Sequence, residues 1–447
     1  MPMTQSFKER LFPLLPQIAE DFRPTIVGSN SEFYGDKELN WALSPGFHIY
    51  DAGGIRRKIR LMQELFFTAN PGTNFFAVKA CPNINILQII LQMGFGLDCA
   101  SPTELYRARL AGARPDQIMY TSNNTNPAHY PYALASGGIL NLDDISFLKK
   151  VPEVPKRICF RYNPGELRQE GTDKVIGEPI NQKYGVRHDQ IVEAYKRARD
   201  LGAETFGIHT MYASNCRDPR ILAGNVKMQL EQIDILQDAL GIQFDFMNIG
   251  GGIGIVYNPL EQEELDIYMM AQLANEYLEE FKARRGYLPL LYIESGRYVT
   301  GPHGVLVSRA INKMDKYKTF VGLDICDAAD ILRAPMYPAH HEVSILSPSG
   351  EEKAGDLMET VSLVGPLCEN MHMISNRELP IIDEGDFVVV HDTGAHGIAM
   401  KMNYNGWGCS QELLLEEDNT VSRISRAETI GDLLVRETSP MHMSKQY

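Results

Sequence analysis

The chain has 447 residues, 44% apolar and 22% charged, and its 43 basic and 57 acidic side chains give a net charge of −14. That length allows two or three domains and a core that needs no disulfide or metal staple. The composition excludes a disordered chain, and the acidic balance gives no reason to expect nucleic acid or a membrane as partner.

The start, MPMTQSFKERLFPLL, lacks the apolar core and cleavage site of a secretory peptide. The longest uncharged stretch, Ala80 to Leu97, carries Pro82, Asn83, Asn85, Gln88 and Gln92, so it reads as a buried helix with its flanks, not a membrane span. Seven scattered cysteines without CxxC spacing suit a reducing cytoplasm and speak against a structural zinc site.

Residues 1–45 read as a helix plus an arm packed on either domain. From residue 73 onward, β-rich runs alternate with helical patterns. The predicted strands are TNFFAVKA (73–80), FGLDCAS (95–101), QIMYTS (117–122), GILNLDD (138–144), KRICFRYN (156–163), ETFGIHTMYA (204–213), FDFMNIGGG (244–252) and PLLYIES (289–295). Helix-like stretches such as INILQIILQMG and PTELYRARLAGA lie between them. Continuous apolar strands separated by helices indicate a parallel sheet buried on both faces. The count and the span fit a (β/α)8 barrel over 46–304, with an open doubly wound sheet as the alternative. Beyond it, GVLVSRAINKM, KTFVGLDI, HEVSILSP, METVSLVGP and DFVVVHDTG predict an all-β domain over 305–447.

Barrel active sites lie at the C-terminal strand ends, and three features fall there. Lys79 ends the first predicted strand in the apolar run FFAVKA. NIGGGIG, Asn248 to Gly254, ends the seventh. Glu294 and Arg297, in YIESGR, end the eighth, which pairs with the first when a barrel closes. Taken singly, these are a solvated lysine, a tight glycine turn and an ordinary acid. Together they describe an anion cradle, a desolvated amine and a carboxylate around one pocket. Glycines let N–H groups approach a phosphate, desolvation makes an amine a better Schiff-base former, and a carboxylate keeps a pyridine nitrogen protonated. The spacing is not that of a Rossmann fingerprint. These residues point to a pyridoxal phosphate enzyme.

FFAVKA, GLDCASPTEL, FRYNPG, NIGGGIG, ESGR, GPLCEN and MNYNG, in that order from about 46 to 410, resemble the diaminopimelate decarboxylase branch of the fold-type III pyridoxal phosphate enzymes. Ornithine and arginine decarboxylases belong to the same group. The resemblance implies an alanine-racemase-like architecture, a barrel followed by a β domain that the N-terminal arm joins, and a homodimer with shared sites. It implies that Lys79 carries the cofactor and that Gly250, Gly251 and Gly252 hold its phosphate. Ser214 and Tyr404 would add hydrogen bonds there, His209 would lie at the cofactor and Glu294 would face the ring nitrogen. Cys368 and Glu369 match a Cys-Glu pair that reaches the pocket from the other subunit, Cys368 as proton donor and Glu369 as ligand of the far amino group. Without the family, Cys368 reads as a buried structural thiol. DICDAADILRAPMYPAHH matches a segment whose Arg and Tyr hold a distal carboxylate, which assigns Arg333 and Tyr337 that role beside Arg297. The plainer reading pairs either arginine with Asp324 or Asp330.

By this resemblance the substrate is meso-diaminopimelate, giving L-lysine and CO2 in lysine biosynthesis. Departures from the family pattern favour, as the alternative, a decarboxylase of D-lysine, D-ornithine or another basic amino acid. In GIHTMYASNC, Met211 replaces the ring-stacking His and Ala213 a Gly. Ser295 replaces a Pro, His396 replaces a Tyr, and CENMH stands for CESGD. A thioether packs on an aromatic face but donates no hydrogen bond. A racemase is disfavoured by GPLCEN, and a non-catalytic cofactor-binding protein by the β domain. His340, His341 and HDTGAH lack a third ligand at metal spacing, so no metal is expected.

Overall fold

Eight short runs, each buried over most of its length, form the parallel strands β1 (Gly72–Ala77), β2 (Gly96–Cys99), β3 (Ile118–Ser122), β4 (Ile139–Leu142), β5 (Arg157–Asn163), β6 (Thr205–His209), β7 (Phe244–Asn248) and β8 (Leu290–Ile293). Each pairs with the next, and β8 pairs with β1 through Leu291–Gly72 and Ile293–Asn74, which closes the barrel. The computed structural model describes residues 3–24, 38–168, 178–353, 355 and 357–437. It divides into two units. One holds Asp51–His303 with Gly394–Ala399, and the other the described parts of Gln5–Tyr50, Gly304–Thr393 and Met400–Tyr447.

Phe75, Met119, Ile139, Cys159, Phe246 and Tyr292 form one buried cluster. These residues come from strands on opposite sides of the ring, so they meet in its interior. Tyr292 sits between Phe75 and Phe246, each with its ring centroid 4.9 Å away, which fills the barrel with aromatic surface. Outside the strands run Ile84–Gln92, Pro102–Ala111, Ile191–Asp200, Pro219–Leu240 and Ile267–Arg285. Their ends follow from local chemistry. Ser101, Asp218 and Asp266 accept first-turn N–H groups, and Gly112, Gly241 and Gly286 stop three of these helices in the left-handed region. After β4 the expected helix is replaced by a 3-10 segment, Ile145–Lys149.

The second unit is a nine-stranded sheet. Its main path runs through Ile374–Pro380, Met358–Val364, Thr319–Leu323, Gly304–Asp315, Phe47–Asp51, Gln411–Leu415 and Val421–Ser425. Phe387–Val390 pairs with Gly304–Asp315, and Val343–Leu346 pairs in turn with Phe387–Val390. The strand Phe47–Asp51 precedes the barrel in sequence but lies antiparallel to Gly304–Asp315, with Phe47 opposite Val307. Upstream residues also bond to this unit. Arg10 Nε donates to Asn419 Oδ1 at 3.0 Å, Lys8 lies 2.6 Å from Glu352, and the Leu43 N–H donates to the Glu428 carbonyl. Leu306, Val321, Ile345, Leu363 and Val388 are part of its core.

Candidate active site

The barrel strands are parallel, so their C-terminal ends share one rim. Lys79 stands there on a 3-10 turn, Val78–Ala80, that directly follows β1. Phe75, Phe76, Ala77, Val78 and Ala80 are buried, whereas the Lys79 side chain is exposed. FFAVKA predicts a desolvated amine, but the residue is exposed, and the apolar character belongs to the strand and its turn. Lys79 still acts electrostatically on three acids of the rim, Asp98, Glu104 and Glu294, favouring the charged form of each.

Glu294 follows β8 and is only 7% exposed. Burial would push its carboxyl up, but His209, Lys79 and Asn248 oppose that and hold it below the ordinary range. Its Oε1 accepts from Asn248 Nδ2 at 2.8 Å, and its Oε2 lies 3.3 Å from His209 Nε2. On the other side of the imidazole, Asn141 Nδ2 is 3.0 Å from Nδ1. An Nδ1 that accepts from Asn141 leaves the ring proton on Nε2, facing the carboxylate. Asp98, at the end of β2, has the opposite fate. Burial, reinforced by the charge of Glu294, pushes its carboxyl well up despite Lys79 and the hydrogen bond to Thr121. Two neighbouring acids are thereby split, one held ionised and one driven towards the neutral form.

The glycine run supplies a cradle. Gly250 and Gly252 have φ of 68° and 97°, a region other residues rarely adopt. A Cβ on Gly250 would lie 2.6 Å from the Thr210 carbonyl, and one on Gly251 2.7 Å from the Glu294 carbonyl. One on Gly252 would meet the Ala213 carbonyl, beside Ser214. The Gly250 N–H donates to Asn248 Oδ1 at 2.8 Å. Among the described residues, the N–H groups of Gly251 and Gly252 have no backbone acceptor. Two donors on a turn with no room for side chains fit a phosphate, and a buried ionised carboxylate on the same rim fits a protonated pyridine nitrogen. Met211 lies against this turn, its sulfur 3.2 Å from where a Cβ on Gly250 would stand. Arg297, half-buried, donates from Nη1 to Tyr257 Oη at 2.6 Å.

The remaining expected residues belong to the second unit. Cys368 is the exposed member of the seven cysteines, all of them free thiols, so the reading of a buried structural thiol is wrong. Its Sγ lies 3.1 Å from Asn405 Oδ1 and 3.3 Å from Glu369 Oε2. Glu369 Oε1 accepts from Tyr404 Oη at 2.7 Å, which, with the nearby acid charge, raises the phenol. Arg333 Nη1 lies 3.3 Å from His341 Nε2, and Tyr337 is exposed. Asp324 instead accepts from Ser308 and the Arg309 N–H, and Asp330 from Ser44, Ser410 and the Cys326 N–H. Asp98 and Asn141 are not apparent from the sequence, and Asn248 appears there only as the first residue of the glycine run. The available signal was a polar residue at the end of an apolar strand run, in GLDC, ILNL and FMNIGGG.

A family model for the pyridoxal binding domain of pyridoxal-dependent decarboxylases matches residues 52–301. Protein TabA of Pseudomonas amygdali pv. tabaci is 36% identical over 436 residues, covering 97% of this chain and 95% of that protein. Diaminopimelate decarboxylase of Methanothermobacter thermautotrophicus is 32% identical over 380 residues, covering 83% and 86% respectively. The crystal structure of diaminopimelate decarboxylase from Helicobacter pylori complexed with L-lysine is similar with a TM-score of 0.78 at 26% identity, covering 87% of this chain and 96% of that one. The chain belongs to the pyridoxal-dependent decarboxylases of the ornithine, arginine and diaminopimelate group, and is a carboxy-lyase dependent on pyridoxal 5'-phosphate.

Proposed function

We propose that the chain converts meso-diaminopimelate to L-lysine and CO2 in the cytoplasm, as a homodimer with shared sites. The observation that carries the substrate is the state of the two arginines. Arg297 donates to the Tyr257 hydroxyl, and Arg333 Nη1 lies beside His341 Nε2. Planar guanidinium forks suit a ligand with a second carboxylate. The diaminopimelate decarboxylases among the relatives support the same choice.

In this reading Lys79 binds the cofactor through its amine. The N–H groups of the glycine turn hold the phosphate, assisted by Ser214 and Tyr404. Glu294, kept ionised by His209 and Asn248, holds a proton at the ring nitrogen. Bound there, pyridoxal phosphate would supply an electron sink for decarboxylation at the α-carbon. Arg297, Arg333 and Tyr337 hold the distal carboxylate and Glu369 the distal ammonium, which orients the departing carboxylate. The Cys368 thiol then delivers a proton to the α-carbon.

One observation favours a second reading. Met211 packs on the glycine turn with a thioether that donates no hydrogen bond, so a substrate without the second carboxylate, D-lysine, D-ornithine or another basic amino acid, is the rival. The test is CO2 release, with added cofactor, from meso-diaminopimelate and from both enantiomers of lysine, ornithine and arginine. Release from diaminopimelate alone supports the first reading. Release from a D- or L-amino acid with a single carboxylate contradicts the substrate and leaves the decarboxylase in place.

A further inference from the structure

We infer that Asn248 is a positioning residue that couples the phosphate cradle to the charge of Glu294. Among the described residues, its carboxamide bonds to both. Oδ1 accepts the Gly250 N–H at 2.8 Å, and Nδ2 donates to Glu294 Oε1 at 2.8 Å. The backbone repeats the link, because the Glu294 N–H donates to the Gly250 carbonyl at 2.7 Å. Asn248 is fully buried and ends β7, so it has little freedom to move away from either partner.

The residue is itself held from outside the barrel. Gln229 and Asn225 lie on the helix Pro219–Leu240, both buried. Gln229 Nε2 donates to the Asn248 carbonyl at 2.9 Å, and Asn225 Nδ2 to the Ile249 carbonyl at 2.8 Å. Two polar side chains buried on one helix face therefore both serve the two residues that precede the glycines. Met119 Sδ, 3.1 Å from Asn248 Nδ2, packs against the same amide.

The amide is the chemistry the position needs. An aspartate there would keep the acceptor for Gly250 but remove the donor. It would set a second carboxylate against Glu294 in a buried site, where like charges cannot both stay ionised. A leucine would fit the volume and supply neither bond. Asn248 thus acts on the cofactor's ring nitrogen through Glu294, and on its phosphate through the shape of the turn.

This inference rests on the reading of Glu294 as partner of the ring nitrogen, and the test separates the two. Asn248→Asp, Glu294→Gln and the double variant are each loaded with pyridoxal phosphate. Cofactor affinity and the pH midpoint of the bound cofactor's visible absorbance are measured. Apoprotein melting reports the fold. Asn248→Asp is expected to weaken cofactor binding about tenfold or more and to displace the midpoint. In the Glu294→Gln background the same change is expected to cost less than about threefold, because no second charge remains to repel. If Glu294→Gln moves the midpoint and Asn248→Asp moves nothing, the inference is overturned and the role of Glu294 stands. If Glu294→Gln leaves the spectrum unchanged, it is the reading of Glu294 that fails. Should Asn248→Asp not fold, the double variant is expected to recover soluble protein; equal insolubility would overturn the inference too.

Discussion

The two units present their functional groups in opposite ways. In the barrel, Glu294, His209, Asn141, Asn248 and Asp98 are buried and, apart from Asp98, bonded to one another through side chains on four different strand ends. In the sheet unit, Cys368, Glu369 and Tyr404 form a surface cluster, with Tyr404 40% exposed. The contrast is chemical. A carboxylate that must stay ionised against its own desolvation needs fixed donors, which a barrel rim supplies from many directions. A thiol that must reach a substrate needs access, and access leaves it bare on an isolated chain. The barrel cluster is enclosed by its own strand ends, whereas the second cluster lies open on the surface of its unit.

Breaking the surface half tests that contrast most severely. Cys368→Ala is expected to lower kcat by roughly 10²–10⁴, the usual worth of a positioned proton donor. Lys79→Ala is expected to abolish turnover. If sites are shared between subunits, mixing the two inactive proteins restores up to about a quarter of wild-type activity, since half the dimers are mixed and each holds one intact site. No recovery on mixing would mean that each chain carries its own thiol. Arg333→Leu is smaller in effect and selective. The KM for diaminopimelate is expected to rise roughly ten- to a hundredfold, with little change for substrates that lack the second carboxylate. Equal changes for both substrate types would remove Arg333 from the distal site.

The buried half predicts subtler changes. Gly251→Ala places a Cβ 2.7 Å from the Glu294 carbonyl, so backbone must shift. Cofactor affinity is expected to fall about tenfold, read by titration of apoprotein, while the apoprotein still folds. Asp98→Asn is the mildest. Burial raises the Asp98 carboxyl, so the native state binds its proton more tightly than the unfolded chain does. Stability is then lost as pH rises through the raised value and is unaffected below the ordinary carboxylate range. The apo variant is expected to melt a few degrees above wild-type apoprotein at pH 7, with the gap closing as pH falls towards about 4. A variant that melts lower at pH 7 would show that Asp98 is paired, not strained.

What the sequence made legible follows the same division. The barrel strands could be read because both faces are buried, which leaves continuous apolar runs such as FFAV and RICFRY. NIGGGIG could be read because only glycine meets the angles and close approaches at 250–252. The strand that leads to Lys79 is legible in FFAVKA, but the exposure of Lys79 depends on a 3-10 turn that strand periodicity does not encode. The pairing of Phe47–Asp51 with Gly304–Asp315 is long-range, and a lone five-residue run names no partner. Asp98 and Asn141 are not legible because a polar residue ending a strand reads as a breaker, Asn248 is legible only as the start of the glycine run, and only the closed ring gathers these strand ends around Glu294 and His209.

The central claim is that the rim around Lys79, Glu294 and the glycine turn is where pyridoxal phosphate is held. Borohydride reduction of the loaded protein, followed by peptide mapping, tests it most directly. The account predicts a single reduced cofactor adduct on Lys79, absent after Lys79→Ala. An adduct on a different lysine, or none in a protein that still releases CO2, would contradict it.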